Sequence, residues 1–129
     1  MTEAQRVLQF RSLIASGSES KSPEQLPRDL GELMNLSHSS CKSLYECSCP
    51  ELDEIVALGR ELGSLGSRLT GAGWGGSAVH LIPAGSEKDF IDGIRARYYN
   101  RRFSNLSERE LDQACFASVP ESGACIYLV

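Results

Sequence analysis

Apolar residues recur at helical spacing three times before the pattern changes. Thr2-Glu3-Ala4-Gln5 is a capping-box sequence, and Val7, Leu8, Phe10, Leu13 and Ile14 follow it as one stripe. This first helix is expected to stop near Ser16-Gly17-Ser18, and residues 16–23 are small and polar, as in a surface loop. Ser22-Pro23-Glu24-Gln25 opens a helical turn. Pro27 has no amide hydrogen and is expected to interrupt it, so the second helix is predicted from about Asp29 to about Glu46. Leu30, Leu33, Met34, Ser37, Cys41, Leu44 and Tyr45 lie along one stripe. Ser48-Cys49-Pro50-Glu51 reads as another capping box, and Leu52, Ile55, Val56 and Leu62 give the third helix its apolar face. Gly63 and Gly66 are expected to supply the left-handed stop and the turn after it.

Beyond Gly66 the period changes. Ser67 to Thr70 is short enough to be extended, and Ser77 to Ile82 reads as a strand closed by Pro83. Ser86-Glu87-Lys88-Asp89 is expected to cap a fourth helix with Phe90, Ile91, Ile94 and Tyr98 on its inner face. Arg95, Arg97, Arg101 and Arg102 crowd its C-terminal half, where positive charge complements the helix dipole, and they read as a solvated face. Ala114 to Val119 and Ala124 to Leu128 are two further strand-like runs around a turn at Pro120 to Gly123. The order predicts an α+β domain with a small antiparallel sheet.

Composition narrows the function classes. The formal charge is −4, a poor match for nucleic-acid binding, which needs a basic face. The apolar runs are far shorter than the roughly 20 residues of a membrane helix. No secretion leader is read at the N-terminus. The odd set of five cysteines (Cys41, Cys47, Cys49, Cys115, Cys125) then fits reduced thiols in a cytoplasmic compartment. Cys47 and Cys49 are separated by one residue, so no zinc-knuckle spacing occurs and no metal site is expected.

The strongest chemical signal is Gly66-Ser-Arg-Leu-Thr-Gly-Ala-Gly-Trp-Gly-Gly-Ser77. Clustered glycines permit positive φ and let successive amides approach an anion. Gly71, Gly73 and Gly76 satisfy G-x-G-x-x-G, but a strand follows where a dinucleotide site requires a helix. The chain also lacks the V-A-I-K, H-R-D and D-F-G sequences that accompany a protein-kinase glycine loop. Composition leaves two readings open: a phosphate-facing loop, or a glycine corner required by close packing.

Residues 66–79 resemble the third motif of the GHMP kinases in its galactokinase form. Met34-Asn35-Leu36-Ser37-His38-Ser39-Ser40-Cys41 resembles that family's M-N-x-S-H-x-S run. Tyr45-Glu46-Cys47-Ser48-Cys49-Pro50-Glu51-Leu52-Asp53 resembles its Y-E-x-S-C-P-E-L-D run. The Cys-Ser-Cys-Pro and Gly-Trp-Gly-Gly variants look most like the eukaryotic galactokinases and N-acetylgalactosamine kinases. Ser77 stands where the family commonly has cysteine.

The resemblance implies a ferredoxin-like, four-stranded antiparallel sheet covered by helices. Residues 1–129 would form one domain of a longer two-domain enzyme that uses ATP and Mg2+ to phosphorylate the anomeric hydroxyl of galactose. The catalytic aspartate, its arginine neighbour and the serine-rich phosphate loop would lie in an upstream domain, so no catalytic residue is assigned here. Thr70, Gly71, Ala72, Gly73, Trp74, Gly75, Gly76 and Ser77 would form a supporting loop beside the phosphates. A sugar-sensing transcriptional regulator with the same C-terminal motifs is the non-catalytic alternative. By its position on the helix edge, His38 reads first as a hydrogen-bonded structural residue, and His80 as outward or bonded. Arg68 is expected to reach a phosphate or to pair with Glu51 or Asp53, and Trp74 to be a packing anchor.

Overall fold

The Thr2–Gln5 capping box forms: the Gln5 side chain accepts from Thr2 N–H at 2.8 Å and the Thr2 hydroxyl from Gln5 N–H at 3.3 Å. It opens α1 (Glu3–Ser16). The computed structural model describes residues 1–16, 22 and 24–119. The second helix, α2 (Gln25–Ser43), starts four residues earlier than predicted from Asp29. Pro27 lies in its first turn, where backbone amides have no intrahelical acceptor, so the missing hydrogen costs nothing. The third helix, α3 (Pro50–Glu61), has proline at its start, but Cys49 is the capping position and no side chain caps it. Ser48 instead donates to the Asp53 carboxylate at 2.7 Å.

Two strands, β1 (Gly66–Thr70) and β2 (Ser77–Leu81), pair antiparallel with Ser67 opposite His80 and Leu69 opposite Ala78. Gly66 is in the strand rather than in a turn. It and Gly31 of α2 meet backbone to backbone: a Cβ on Gly66 would fall 2.4 Å from Gly31 Cα, and one on Gly31 2.2 Å from the Leu65 carbonyl oxygen. Two glycines therefore let α2 lie directly against β1. The outer edge of β1 is closed by α2 side chains. Asn35 Oδ1 accepts Ser67 N–H at 2.9 Å, Asn35 Nδ2 donates to the Leu65 carbonyl at 3.3 Å, and His38 Nδ1 accepts Leu69 N–H at 3.3 Å. A strand edge satisfied in this way cannot accept another strand along the same groups.

Among the described residues the sheet has these two strands, not the four expected. Ala114, predicted to begin a strand, ends a helix, and Cys115–Val119 carries no regular structure. The predicted turn at Pro120 to Gly123 and strand from Ala124 to Leu128 lie outside the described residues. The helix α6 (Glu108–Ala114) is set by a capping box: the Ser107 hydroxyl accepts from Glu110 N–H, and the Glu110 carboxylate from Ser107 N–H at 2.8 Å. Ser107-Glu-Arg-Glu110 is the same kind of sequence signal that marks α1, and it overrides the strand-like run that follows.

Between them, α4 (Glu87–Ile94) continues through a π-helical turn (Arg95–Tyr99) into α5 (Asn100–Arg102). The arginines are not merely solvated. Arg97 pairs with Glu61 at 2.5 Å, while Arg101 and Arg102 both take Glu54 of α3. Arg95 pairs with Asp112 of α6 at 2.7 Å. Beneath them Leu58, Phe90, Ile94 and Tyr98 form the larger buried cluster, and Cys47, Leu52 and Leu69 a smaller one at the other end of the hairpin. No helix of the described residues is long and apolar enough to cross a membrane.

Candidate functional site

The glycine run is the connection between β1 and β2, as its position between two short extended segments implies. It is seated on the segment joining α2 to α3. Trp74 N–H donates to the Cys47 carbonyl at 2.6 Å, and the indole N–H to the Glu46 carbonyl at 3.1 Å. Gly73 has φ +89, and a Cβ there would come within 2.2 Å of the Cys47 oxygen. Glycine is thus required at position 73 both by backbone conformation and by contact. Glu46 and Trp74 themselves take positive φ, 55 and 54. The receiving segment and the loop are therefore both bent into the left-handed region, a conformation held by these two bonds.

Trp74, expected as a packing anchor, is 62% exposed. Its backbone bond to Cys47 and its indole bond to Glu46 pin it at the surface, where its ring tilts against Tyr45 at 6.1 Å between centroids. Gly71, Ala72, Gly76 and Ser77 are exposed, and Gly73 and Gly75 are half-buried. Thr70 is exposed at the end of β1. Four of the eight loop residues are glycines, so much of the backbone at this end of the hairpin is open to solvent beside the Trp74 ring.

His38 is buried and bonded, as its place in the stripe suggested. Since Nδ1 accepts the Leu69 amide hydrogen, the ring proton sits on Nε2, 3.5 Å from Asp53 Oδ1. Asp53 also receives Ser48 Oγ–H at 2.7 Å and Lys42 Nζ at 2.8 Å. Burial holds the His38 imidazole below its ordinary range, and the Asp53 carboxylate offsets only part of this. Burial alone would push the Asp53 carboxyl up. The bonds from Lys42 and Ser48 and the charges of Lys42 and His38 outweigh it and hold the group below its usual value. His80 is also bonded, through Nδ1 to Ser67 Oγ at 2.8 Å. Burial alone pushes it down to about 4.

Arg68 projects from the opposite sheet face and reaches neither Glu51 nor Asp53. It donates to its neighbour's carbonyl, Leu69 O, at 2.9 Å and lies 3.4 Å from Glu3. The alternation of side chains along β1 decides this: Ser67 and Leu69 face α3, so Arg68 cannot. Glu3 in turn receives Ser37 Oγ–H and Arg6. These groups sit at one end of a groove of about 860 Å³ between α1 and the sheet, with Val7, Phe10, Leu33 and Val79 along its walls. The sequence offers Asp53 only as a partner for Arg68, and gives Glu3 no role beyond the first capping box. Asp53 belongs to the quoted Tyr45–Asp53 run, whereas nothing local distinguishes Glu3 from other acidic first-turn residues. Among the described residues there is no group of three or more His, Cys, Asp or Glu able to hold a metal ion.

A glycine hairpin is thus seated on the segment linking α2 to α3, with α2 docked against its first strand. The GHMP kinases C terminal family matches residues 20–100, and the chain belongs to that family. Within it the chain is 40% identical over 129 residues to a galactokinase of Saccharomyces cerevisiae, covering 98% of this chain and 24% of that protein. It is 48% identical over 102 residues to a galactokinase of Dictyostelium discoideum, covering 77% of this chain and 20% of that one. The crystal structure of L. major mevalonate kinase in complex with R-mevalonate superposes with a TM-score of 0.61 at 34% identity, over 72% of this chain and 26% of that one. The chain spans about a quarter of the length of the curated relatives it matches.

Proposed function

We propose that residues 1–129 are one domain of a longer ATP-dependent galactokinase that works in the cytoplasm and phosphorylates the anomeric hydroxyl of galactose. The carrying observation is the identity to galactokinases across nearly the whole chain, which includes the Gly66–Ser77 hairpin. That likeness favours galactokinase over an N-acetylgalactosamine kinase or a sugar-sensing regulator. Phosphoryl transfer depends on positioning and charge neutralisation, and the Thr70–Ser77 loop is proposed to support the phosphate end of the cleft. Its exposed, backbone-rich outer surface suits close approach to an anion. Arg68 beside Thr70 is proposed to carry positive charge toward the same end, and His38 to hold the loop from beneath.

The proton acceptor and the main phosphate loop are proposed to come from an upstream domain of the same polypeptide. Mg2+ bound with ATP would neutralise phosphate charge. With no cluster of three metal-binding side chains among the described residues, its protein ligands are proposed to belong to that upstream domain. A full-length polypeptide carrying this domain is expected to release ADP with galactose and ATP, faster than with N-acetylgalactosamine. The 129 residues alone are expected to release none above blank. Silence from the full-length protein, or turnover by the isolated domain, overturns the reading.

A further inference from the structure

The two fixed points of the glycine loop trace back to one carboxylate. At the loop's entry, Leu69 N–H is held by His38 Nδ1 at 3.3 Å, and His38 turns its Nε2 hydrogen toward Asp53 Oδ1 at 3.5 Å. At its apex, Gly73 and Trp74 rest on the Cys47 carbonyl. The next residue, Ser48, donates to the same Asp53 oxygen at 2.7 Å. Asp53 sits in the first turn of α3, and Lys42 of α2 closes the remaining oxygen at 2.8 Å. One side chain thus sets the ring of His38 and, through Ser48, the path of the segment that carries the loop apex.

We propose that His38 and Asp53 are positioning residues for phosphoryl transfer: Asp53 fixes the orientation of His38 and of the Glu46–Ser48 segment, and these hold the two ends of the Thr70–Gly76 loop in register with the cleft. The inference rests on the kinase reading above for its effect on turnover, but its structural part stands without it. His38 exchanges no proton with substrate, because it is 5% exposed and both ring nitrogens face groups inside the domain. Their contribution is geometric, and displacement of a supporting loop by about 1 Å is enough to cost up to ~100-fold in rate.

Two substitutions separate the two ring nitrogens. In His38→Asn the amide oxygen falls where Nδ1 was and still accepts Leu69 N–H. In His38→Gln the amide reaches the Nε2 position and leaves Leu69 without its acceptor. In the full-length enzyme His38→Gln is expected to lower kcat about tenfold with KM for galactose changed less than about twofold, and His38→Asn to recover most of that loss. Asp53→Asn is expected to lower kcat as His38→Gln does. In the 129-residue chain, amide hydrogen exchange at Leu69 is expected to quicken about tenfold in His38→Gln and to stay near wild type in His38→Asn. If wild type turns over no sugar, the kinase reading fails and the exchange measurement still decides the structural part. Equal Leu69 exchange in wild type and His38→Gln, or a kcat loss that follows melting temperature in all three variants, overturns the inference.

Discussion

The two ends of the β1–β2 hairpin are held by different physics. At the closed end, beside the glycine loop, the buried apolar set is small, Cys47, Leu52 and Leu69. Directional bonds add to it: Leu69 N–H to His38, Trp74 N–H to Cys47 and Ser48 to Asp53. At the open end Leu58, Phe90, Ile94 and Tyr98 pack as a larger cluster, with His80 against the Phe90 ring at 5.2 Å between centroids. Apolar burial stabilises without specifying direction, whereas a short chain of hydrogen bonds fixes position while adding little net energy. The contrast teaches that the open end keeps the domain folded and the loop end keeps a backbone surface in place.

Removing the Phe90 ring tests the open end. Phe90→Ala is expected to lower unfolding free energy by ~4 kcal/mol in urea titration, the usual cost of a buried aromatic deletion, while turnover per folded full-length enzyme changes little. A stability loss under ~1 kcal/mol would mean that the cluster is not the main apolar core.

Acid probes the same end. His80 titrates near 4 when folded, against 6.5 ordinarily, so the folded state favours the neutral ring. Above about pH 6.5 both states are neutral and stability is whole. As pH falls toward 4 the unfolded chain takes up a proton that the folded one excludes, and up to ~3 kcal/mol is lost. Below that no more is lost through this group. His38 is shifted in the same direction, so His80→Gln is expected to flatten the profile only in part. An unchanged slope in His80→Gln would remove His80 from the account.

At the loop end, Gly73→Val in the full-length enzyme is expected to lower kcat about tenfold or more while shifting the unfolding midpoint less than Phe90→Ala does. The added Cβ meets the Cys47 carbonyl oxygen and must lift the loop, but the loop surface is already exposed. Unchanged turnover would break the comparison. The smallest effect is expected on the surface. Arg97→Ala should cost under ~1 kcal/mol, because its partner Glu61 is itself exposed and water screens the pair. A larger loss in a thermal melt would give the arginine face a share of the stability assigned to the open-end cluster.

Much of the local structure was legible in the residues. Helical periodicity with the Thr2 and Pro50 signals gave α1 and α3, and the glycine run correctly marked the corner between two strands. The misjudged positions have identifiable causes. Pro27 was read as a breaker, although proline costs nothing in a first turn. The Ser107 capping box starts a helix that runs to Ala114, so Ala114 cannot begin a strand. Trp74 does anchor the loop, but through its bonds to the Glu46 and Cys47 carbonyls, which no local pattern encodes.

By itself the sequence determined the family motifs, the existence of the first four helices and the position of the glycine corner, because each depends on residues close together along the chain. Only the tertiary structure decided what that corner rests on. Gly31 meets Gly66 across 35 positions, Leu69 finds its acceptor on His38, and Asp53 ties that histidine to the carrier of the loop apex. Arg68 was likewise turned to Glu3 by strand alternation and the docking of α1. Such pairings join groups distant in sequence, and no local periodicity encodes them.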